Sequence, residues 1–127
     1  MRAVDTNVLV RLITRDDLKQ ATDAEAFVMQ SGGWVGHLVL AETTWVLSTV
    51  YDHPPAEIVR ALEILVNHAH LTIQDADVVA IALEHYRRHP RVDFFDYLVL
   101  EIARKAGHLP VGTFDRQFAR LAGVQQI

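Results

Sequence analysis

Acidic residues in this sequence stand beside apolar segments rather than in charged runs. Asp5 and Asp115 each follow an apolar stretch, Glu42 lies inside one, and Asp96 comes three residues after Asp93. Carboxylates that a fold gathers in one place repel each other unless a divalent cation binds them, and carboxylate oxygens suit Mg²⁺ or Mn²⁺. Such a site can activate water and stabilise the transition state of phosphodiester cleavage. The pattern therefore raises the hypothesis of metal-dependent hydrolysis.

Each of these acids also has a purely structural interpretation. Asp5 and Asp115 are good helix caps, and Asp93 with Asp96 resembles a capping box. A buried salt bridge or an exposed seam of its helix would account for Glu42. For Asp93 and Asp96, the capping role and the metal-binding role depend on the same effect. A helix N-terminus stabilises negative charge and so lowers the cost of placing acids close together.

Glu42 is the acid that a structural role explains least easily. It lies in the predicted helix 37–51, which carries apolar residues on nearly every face, so we expect that helix in the core. A carboxylate buried there loses its hydration, at a cost of several kcal/mol, unless a partner compensates it. Both tryptophans and the Phe94-Phe95 pair are likewise expected in the core.

Apolar periodicity and cap residues predict strands that alternate with helices. The first predicted strand ends at Asp5, and the others cover 34–36, 71–73, 109–113 and 124–127. The predicted helices cover 8–14, 18–30, 37–51, 55–68, 93–106 and 115–121, and a further helix, capped by Asp75 or Asp77, reaches Arg88. This alternation favours a three-layer, Rossmann-like α/β fold whose mostly parallel central sheet is flanked by helices. Because ligands bind at the carboxyl ends of parallel strands, Asp5 and Asp115 are expected at one rim with the helical acids.

The composition indicates one globular domain over residues 1–127. The chain has no cysteines, which excludes disulfides and thiolate metal sites. We expect a cytoplasmic location, since the sequence shows neither a signal peptide nor the ~18 to 20 apolar residues of a membrane span. A net charge of −4 argues against broad electrostatic binding of nucleic acid. Candidate local contacts are Arg87, Arg88, Arg91, Arg116 and Arg120.

The acidic segments resemble, in order and spacing, the motifs of the PIN-domain nucleases, and above all those of the VapC toxins of prokaryotic toxin–antitoxin pairs. The segments that carry the resemblance are Asp5-Thr6-Asn7, Leu40-Ala41-Glu42, Asp93-Phe94-Phe95-Asp96-Tyr97-Leu98 and Thr113-Phe114-Asp115. The resemblance implies a quartet of catalytic acids that bind one or two Mg²⁺ or Mn²⁺ ions: Asp5, Glu42, Asp96 and Asp115. It implies auxiliary roles, as hydrogen-bonding neighbours of the acids or of water, for Asp93, Thr6, Asn7 and Thr113.

The same resemblance implies an activity and partners. The expected activity is hydrolysis of RNA phosphodiester bonds by metal-activated water, which leaves a 5′-phosphate and a 3′-hydroxyl. The expected protein partners are a VapB-type antitoxin, which obstructs the site, and a second copy of the chain in a homodimer.

Three other functions stay open. A catalytically degenerate PIN scaffold would bind RNA or a protein partner without cutting. An aspartyl phosphotransfer enzyme would use Asp5 as its nucleophile, but the haloacid-dehalogenase pattern needs a second Asp where Asn7 stands. A receiver domain would need Lys105 at the end of a strand, but this lysine lies inside a predicted helix. A metal-independent ribonuclease would use histidines such as His85 and His89, which are expected on a solvated helix face.

Overall fold

The computed structural model describes residues 1–127 and shows an α/β fold with parallel strands and six α-helices. The strands are β1 Arg2–Ala3, β2 Gly33–Val35, β3 Leu71–Ile73, β4 Val111–Thr113 and β5 Val124–Gln126. The α-helices are α1 Thr6–Thr14, α2 Leu18–Ser31, α3 His37–Thr49, α4 Pro55–Val66, α5 Ala76–Arg88 and α6 Phe94–Ala106, and a short 3₁₀ helix covers Phe118–Arg120. The predicted fold class, α/β with parallel strands, is confirmed.

The chain forms two compact units, and the first comprises Met1–Ala76. Its three strands make one parallel sheet in the order β1, β2, β3. At Gly33, in the middle strand, a Cβ would lie 3.0 to 3.2 Å from the side chains of Leu71, Val4 and Val28. Such distances are tighter than most Cβ contacts in proteins, so a larger residue at this position would force these apolar side chains to shift.

In this unit, helix α1 packs against both α2 and α3. Their boundaries follow local signals: Asp17 accepts a hydrogen bond from the Gln20 amide and so caps α2, while Pro55 opens α4. Both helices begin at the residues where their predicted ranges begin, 18 and 55.

The second unit comprises Asp77–Ile127. Its strands β4 and β5 form a separate two-stranded parallel sheet, in which Val111 pairs with Val124. Helix α6 ends at Gly107, which adopts the left-handed conformation (φ 83°) that favours glycine. The predicted helix 115–121 is reduced to the 3₁₀ turn, because Asp115 and the residues after it form a capped turn rather than a continuous helix.

Several burial predictions are wrong. Helix α3 does not lie wholly in the core, since Leu38 is 83% exposed and Trp45 is 63% exposed. Trp34 and Phe95 are also exposed, whereas Phe94 is buried as expected. The strand before Asp5 is two exposed residues long rather than a buried strand that ends at Asp5. An apolar composition shows that a segment has a buried side, but it does not say how much of the opposite side stays in water.

None of the helices combines the length and the apolar character that crossing a membrane requires.

Candidate metal site

Asp5 lies at the junction between β1 and α1. Its backbone is extended, and its Oδ1 accepts a hydrogen bond from the Val8 amide at 3.4 Å, so it occupies the N-cap of α1. The cap interpretation is therefore confirmed for this residue. The side chain is exposed and makes no ion pair, and no hydrogen bond engages its second carboxylate oxygen. Asp5 thus keeps one oxygen free while the helix N-terminus favours its negative charge.

Glu42 lies on α3 and is exposed, which corrects the expectation that its carboxylate is buried. Leu38 and Trp45, about one turn to either side, are exposed as well, so Glu42 stands on the solvent-facing seam of the helix. The adjacent hydroxyls of Thr43 and Thr44 are buried and donate to backbone carbonyls of their own helix. Glu42 itself makes no ion pair or hydrogen bond and is a free oxygen donor.

Asp93 and Asp96 open helix α6. Asp93 occupies the N-cap position, yet its side chain makes no capping hydrogen bond, and only its backbone carbonyl accepts the Asp96 amide at 3.0 Å. Asp96 lies in the first turn and is partly buried. The predicted capping box is therefore wrong, since neither carboxylate is used to satisfy the helix end.

Asp115 stands two residues after the end of β4, in a turn that it organises. Its Oδ1 accepts the amides of Gln117 at 2.8 Å and Phe118 at 3.1 Å. Its own amide donates to the Thr113 hydroxyl at 3.0 Å. Thr113 therefore orients the backbone of Asp115, and the second carboxylate oxygen of Asp115 has no hydrogen-bond partner.

Three acids of the second unit, Asp93, Asp96 and Asp115, influence one another electrostatically. Burial raises the pKa of Asp96 above its ordinary value, and the negative charges of Asp93 and Asp115 raise it further. No lysine or arginine pairs with any of the three. A group of like charges with no cation is unfavourable by itself, and a bound divalent cation would remove that repulsion.

The donor set has the chemistry that Mg²⁺ or Mn²⁺ requires. Asp5, Glu42, Asp96 and Asp115 supply only hard carboxylate oxygens, and none of them is neutralised by a basic side chain. No group of three or more His, Cys, Asp and Glu side chains is, however, arranged closely enough to hold a metal ion. The residues fit a hard divalent cation in type, and the joint quartet stays a prediction.

The other auxiliary residues differ in their contacts. Thr6 is buried and Asn7 is exposed, and neither side chain hydrogen-bonds an acid. Thr113 is the one auxiliary hydroxyl that contacts a predicted site residue, through the Asp115 amide.

Sequence reasoning missed a buried acid in the same unit. Glu101 is 4% exposed, accepts a hydrogen bond from Arg104 Nε at 3.2 Å, and lies 4.0 Å from His85 Nε2. The His85 ring stacks on Tyr97, with centroids 5.7 Å apart. His85 thus contacts Tyr97 and Glu101, whereas His89 is exposed. The spacing of Glu101 and Arg104, three residues apart on one helix, was the available signal.

Known families and structures include counterparts of this chain. The model of the PIN domain family matches residues 2–124. One similar solved structure is VapC20 of Mycobacterium tuberculosis, described as a toxin that cleaves the sarcin–ricin loop; it is 22% identical over 98% of each chain, with a TM-score of 0.44. No curated protein matches the chain significantly.

Proposed function

Because the chain belongs to the PIN-domain family, we propose that it is a Mg²⁺- or Mn²⁺-dependent ribonuclease, the toxin of a VapBC-type toxin–antitoxin pair. One observation carries the proposal: the group of Asp93, Asp96 and Asp115 holds net negative charge without any basic partner. Repulsion among these acids lowers the stability of the fold, and groups that lower stability in this way are typical of functional sites.

The proposed metal ligands and catalytic residues are Asp5, Glu42, Asp96 and Asp115. A bound divalent cation supplies charge neutralisation at the phosphate and lowers the pKa of water enough for attack at neutral pH. The chain itself contributes orientation, since the Asp115 carboxylate is fixed by two amides and the Asp5 carboxylate by one. Asp93 is proposed to add negative charge beside Asp96. The products are a 5′-phosphate and a 3′-hydroxyl.

The proposal treats residues 1–127 as a single PIN domain, supported by a family match that runs through both compact units. A VapB-type antitoxin that obstructs the acids, a homodimeric assembly and a cytoplasmic location belong to the same proposal. They rest on the VapC-like order of the acidic motifs.

The decisive experiment is end-mapped cleavage of total RNA by the purified protein with Mg²⁺ or Mn²⁺ and with EDTA. Asp5→Asn and Asp96→Asn are expected to abolish cleavage and to keep the fold. Asp23→Asn is the matched control, because Asp23 is an exposed acid whose only partner is Lys19 on the same helix. Cleavage that resists EDTA, or products with 2′,3′-cyclic phosphate ends, would overturn the proposed chemistry. Full activity of either site variant would overturn the residue assignment.

A catalytically degenerate PIN scaffold is the second candidate. It is favoured by one observation, the lack of any group of three metal-binding side chains that is already arranged for an ion. The two candidates differ in the same assay, since a degenerate scaffold binds RNA or protein but yields no new RNA ends with either metal.

A further inference from the structure

The first turn of α6 begins without a side-chain cap. Asp93 occupies the N-cap position, but only its backbone carbonyl accepts hydrogen bonds, from the Asp96 amide at 3.0 Å and the Tyr97 amide at 3.3 Å. Side-chain caps stabilise helix ends because they satisfy amides that have no partner within the helix. The proposed metal ligand Asp96 lies in this uncapped turn. Its position therefore depends on contacts other than a cap.

Tyr97, the residue after Asp96, makes such a contact. Its side chain is 1% exposed, and its hydroxyl donates to the His89 carbonyl at 2.7 Å. The His89 amide donates to the His85 carbonyl at 2.9 Å, which continues the hydrogen bonding of α5 by one residue. Because the Tyr97 bond joins residues eight positions apart, it ties the connection between the two helices to the first turn of α6.

Aromatic contacts with α5 restrain the same turn. The Tyr97 ring is nearly parallel to the His85 ring, with an interplanar angle of 12° and centroids 5.7 Å apart. Phe94, the first residue of α6, is buried and packs edge to face against Tyr86 of α5, with 6.1 Å between the centroids. Aromatic pairs in such geometries stabilise packing beyond the area that they bury. Asp96 thus directly precedes a buried ring that is anchored on α5.

We propose that Tyr97 is a positioning residue: its hydroxyl, bound to the His89 carbonyl, holds the first turn of α6 so that the Asp96 carboxylate stays free for a cation. The proposal rests on the proposed function, in which Asp96 is a metal ligand. A carboxylate that caps its own helix uses an oxygen for a backbone amide, whereas the Tyr97 bond stabilises the turn without using either acid. Ligands held in place before binding raise affinity, because less ordering is required when the ion arrives.

A purely structural role is the competing explanation of the Tyr97 bond. Backbone carbonyls need partners, and a buried tyrosine hydroxyl usually finds one. The Asp96 carboxylate itself, however, is restrained by neither a hydrogen bond nor an ion pair, so its position follows the backbone of the turn. The two roles predict different results. A structural bond affects only the stability of the fold, whereas a positioning bond affects cation binding by protein that is fully folded.

Tyr97→Phe tests the proposal, because it removes the hydroxyl and keeps the buried ring. In wild-type protein without metal, the amides of residues 96 and 97 should exchange slowly with solvent although the cap is missing. In Tyr97→Phe their exchange should be faster by roughly 2- to 12-fold, the effect of losing one hydrogen bond. The Kd for Mn²⁺, measured from the electron paramagnetic resonance signal of the free ion, should rise by roughly the same factor. Urea unfolding verifies that each protein is folded under these conditions.

Tyr86→Phe is the matched control. Tyr86 is buried on α5 in the same unit, and its hydroxyl makes no hydrogen bond. The substitution removes the same atom as Tyr97→Phe and keeps the ring that packs against Phe94. Amide exchange at residues 96 and 97 and the Kd for Mn²⁺ should therefore stay at their wild-type values.

The outcomes separate this inference from the proposed function. Equal Mn²⁺ affinity of folded Tyr97→Phe and wild type would overturn the positioning role. Unprotected amides at residues 96 and 97 in wild type, or an equal loss of Mn²⁺ affinity in Tyr86→Phe, would overturn it as well. Failure of the proposed function has a different signature: wild type would then bind no Mn²⁺ and create no RNA ends, while faster exchange in Tyr97→Phe would still support the hold of the hydroxyl on the turn.

Discussion

Replacing Asp96 with asparagine should stabilise the metal-free protein while it abolishes cleavage. The substitution keeps the shape of the side chain and removes a charge whose pKa is raised first by burial and then by Asp93 and Asp115. A like-charged neighbour one turn away on the same helix, as Asp93 is, costs about 0.2 to 0.5 kcal/mol, and the charge of Asp115 adds to this cost. The lost attraction to the N-terminus of α6, about 0.3 to 1 kcal/mol, opposes this gain, and relief from burial adds to it. Because burial and both neighbours raise the pKa of Asp96, these effects outweigh the attraction to the helix, and we expect a net gain in stability at neutral pH of the order of a few tenths of a kcal/mol.

The pH dependence supplies the sign of the effect. The pKa of Asp96 in the folded protein lies above its ordinary value. At pH values between these two pKa values, the folded state therefore binds more protons than the unfolded state. The stability that wild type gains from this group is complete below the ordinary pKa and is lost as the pH rises through the native pKa. The difference between Asp96→Asn and wild type should therefore be largest at neutral pH and shrink as the pH falls. Urea unfolding in EDTA at a series of pH values measures it.

Added metal should reverse the order of stability. Wild type is expected to gain about 2.7 kcal/mol at a cation concentration 100-fold above its Kd, whereas Asp96→Asn should gain much less. Asp23→Asn serves as the control for the loss of an exposed acid. A metal-free Asp96→Asn protein less stable than wild type at neutral pH would refute the repulsion argument. An equal gain from metal in both proteins would remove Asp96 from the ligand set.

Three further substitutions test the packing and the exposure of the acids. Arg104→Ala should lower the unfolding free energy in urea by about 1.5 to 3 kcal/mol, because it removes the charged hydrogen-bond partner of the buried Glu101; no loss would contradict the pair. Gly33→Ala should cost about 1 to 3 kcal/mol by overpacking, whereas Gly112→Ala, whose nearest neighbour would be 3.9 Å away, should not, and equal Tm values would refute the contrast. Glu42→Gln should change the Tm little, since the side chain is exposed, yet should abolish cleavage in an end-mapping assay; a large loss of stability would indicate a hidden partner.

Sequence signals predicted the elements whose ends are fixed locally. The strand Leu71–Ile73 has the predicted bounds, because apolar side chains alternate there over a short segment. Asp17 begins α2 and Gly107 ends α6, since a side-chain cap and a left-handed glycine act within a few residues of the chain. The alternation of strands and helices was sufficient to predict the α/β class.

Features set by tertiary packing were not predictable from the sequence. Trp45 and Leu38 stay exposed because α3 buries only one side, and composition alone does not reveal which side faces water. The strands of the two units form separate sheets, since strand pairing depends on contacts between distant segments. The group of Asp93, Asp96 and Asp115 was visible as motifs, but its lack of basic partners depends on where every arginine and lysine lies.

The choice between a capping acid and a metal-binding acid is not exclusive in this chain. A carboxylate has two oxygens with about four acceptor positions, and the caps made by Asp5 and Asp115 use only Oδ1. The amides that hold Oδ1 restrict the side chain and leave Oδ2 without a hydrogen-bond partner. A cap is therefore compatible with the proposed metal binding, because it holds the carboxylate in place and leaves its second oxygen unused. Asp93 and Asp96, which do not cap, would instead contribute charge that only a cation neutralises.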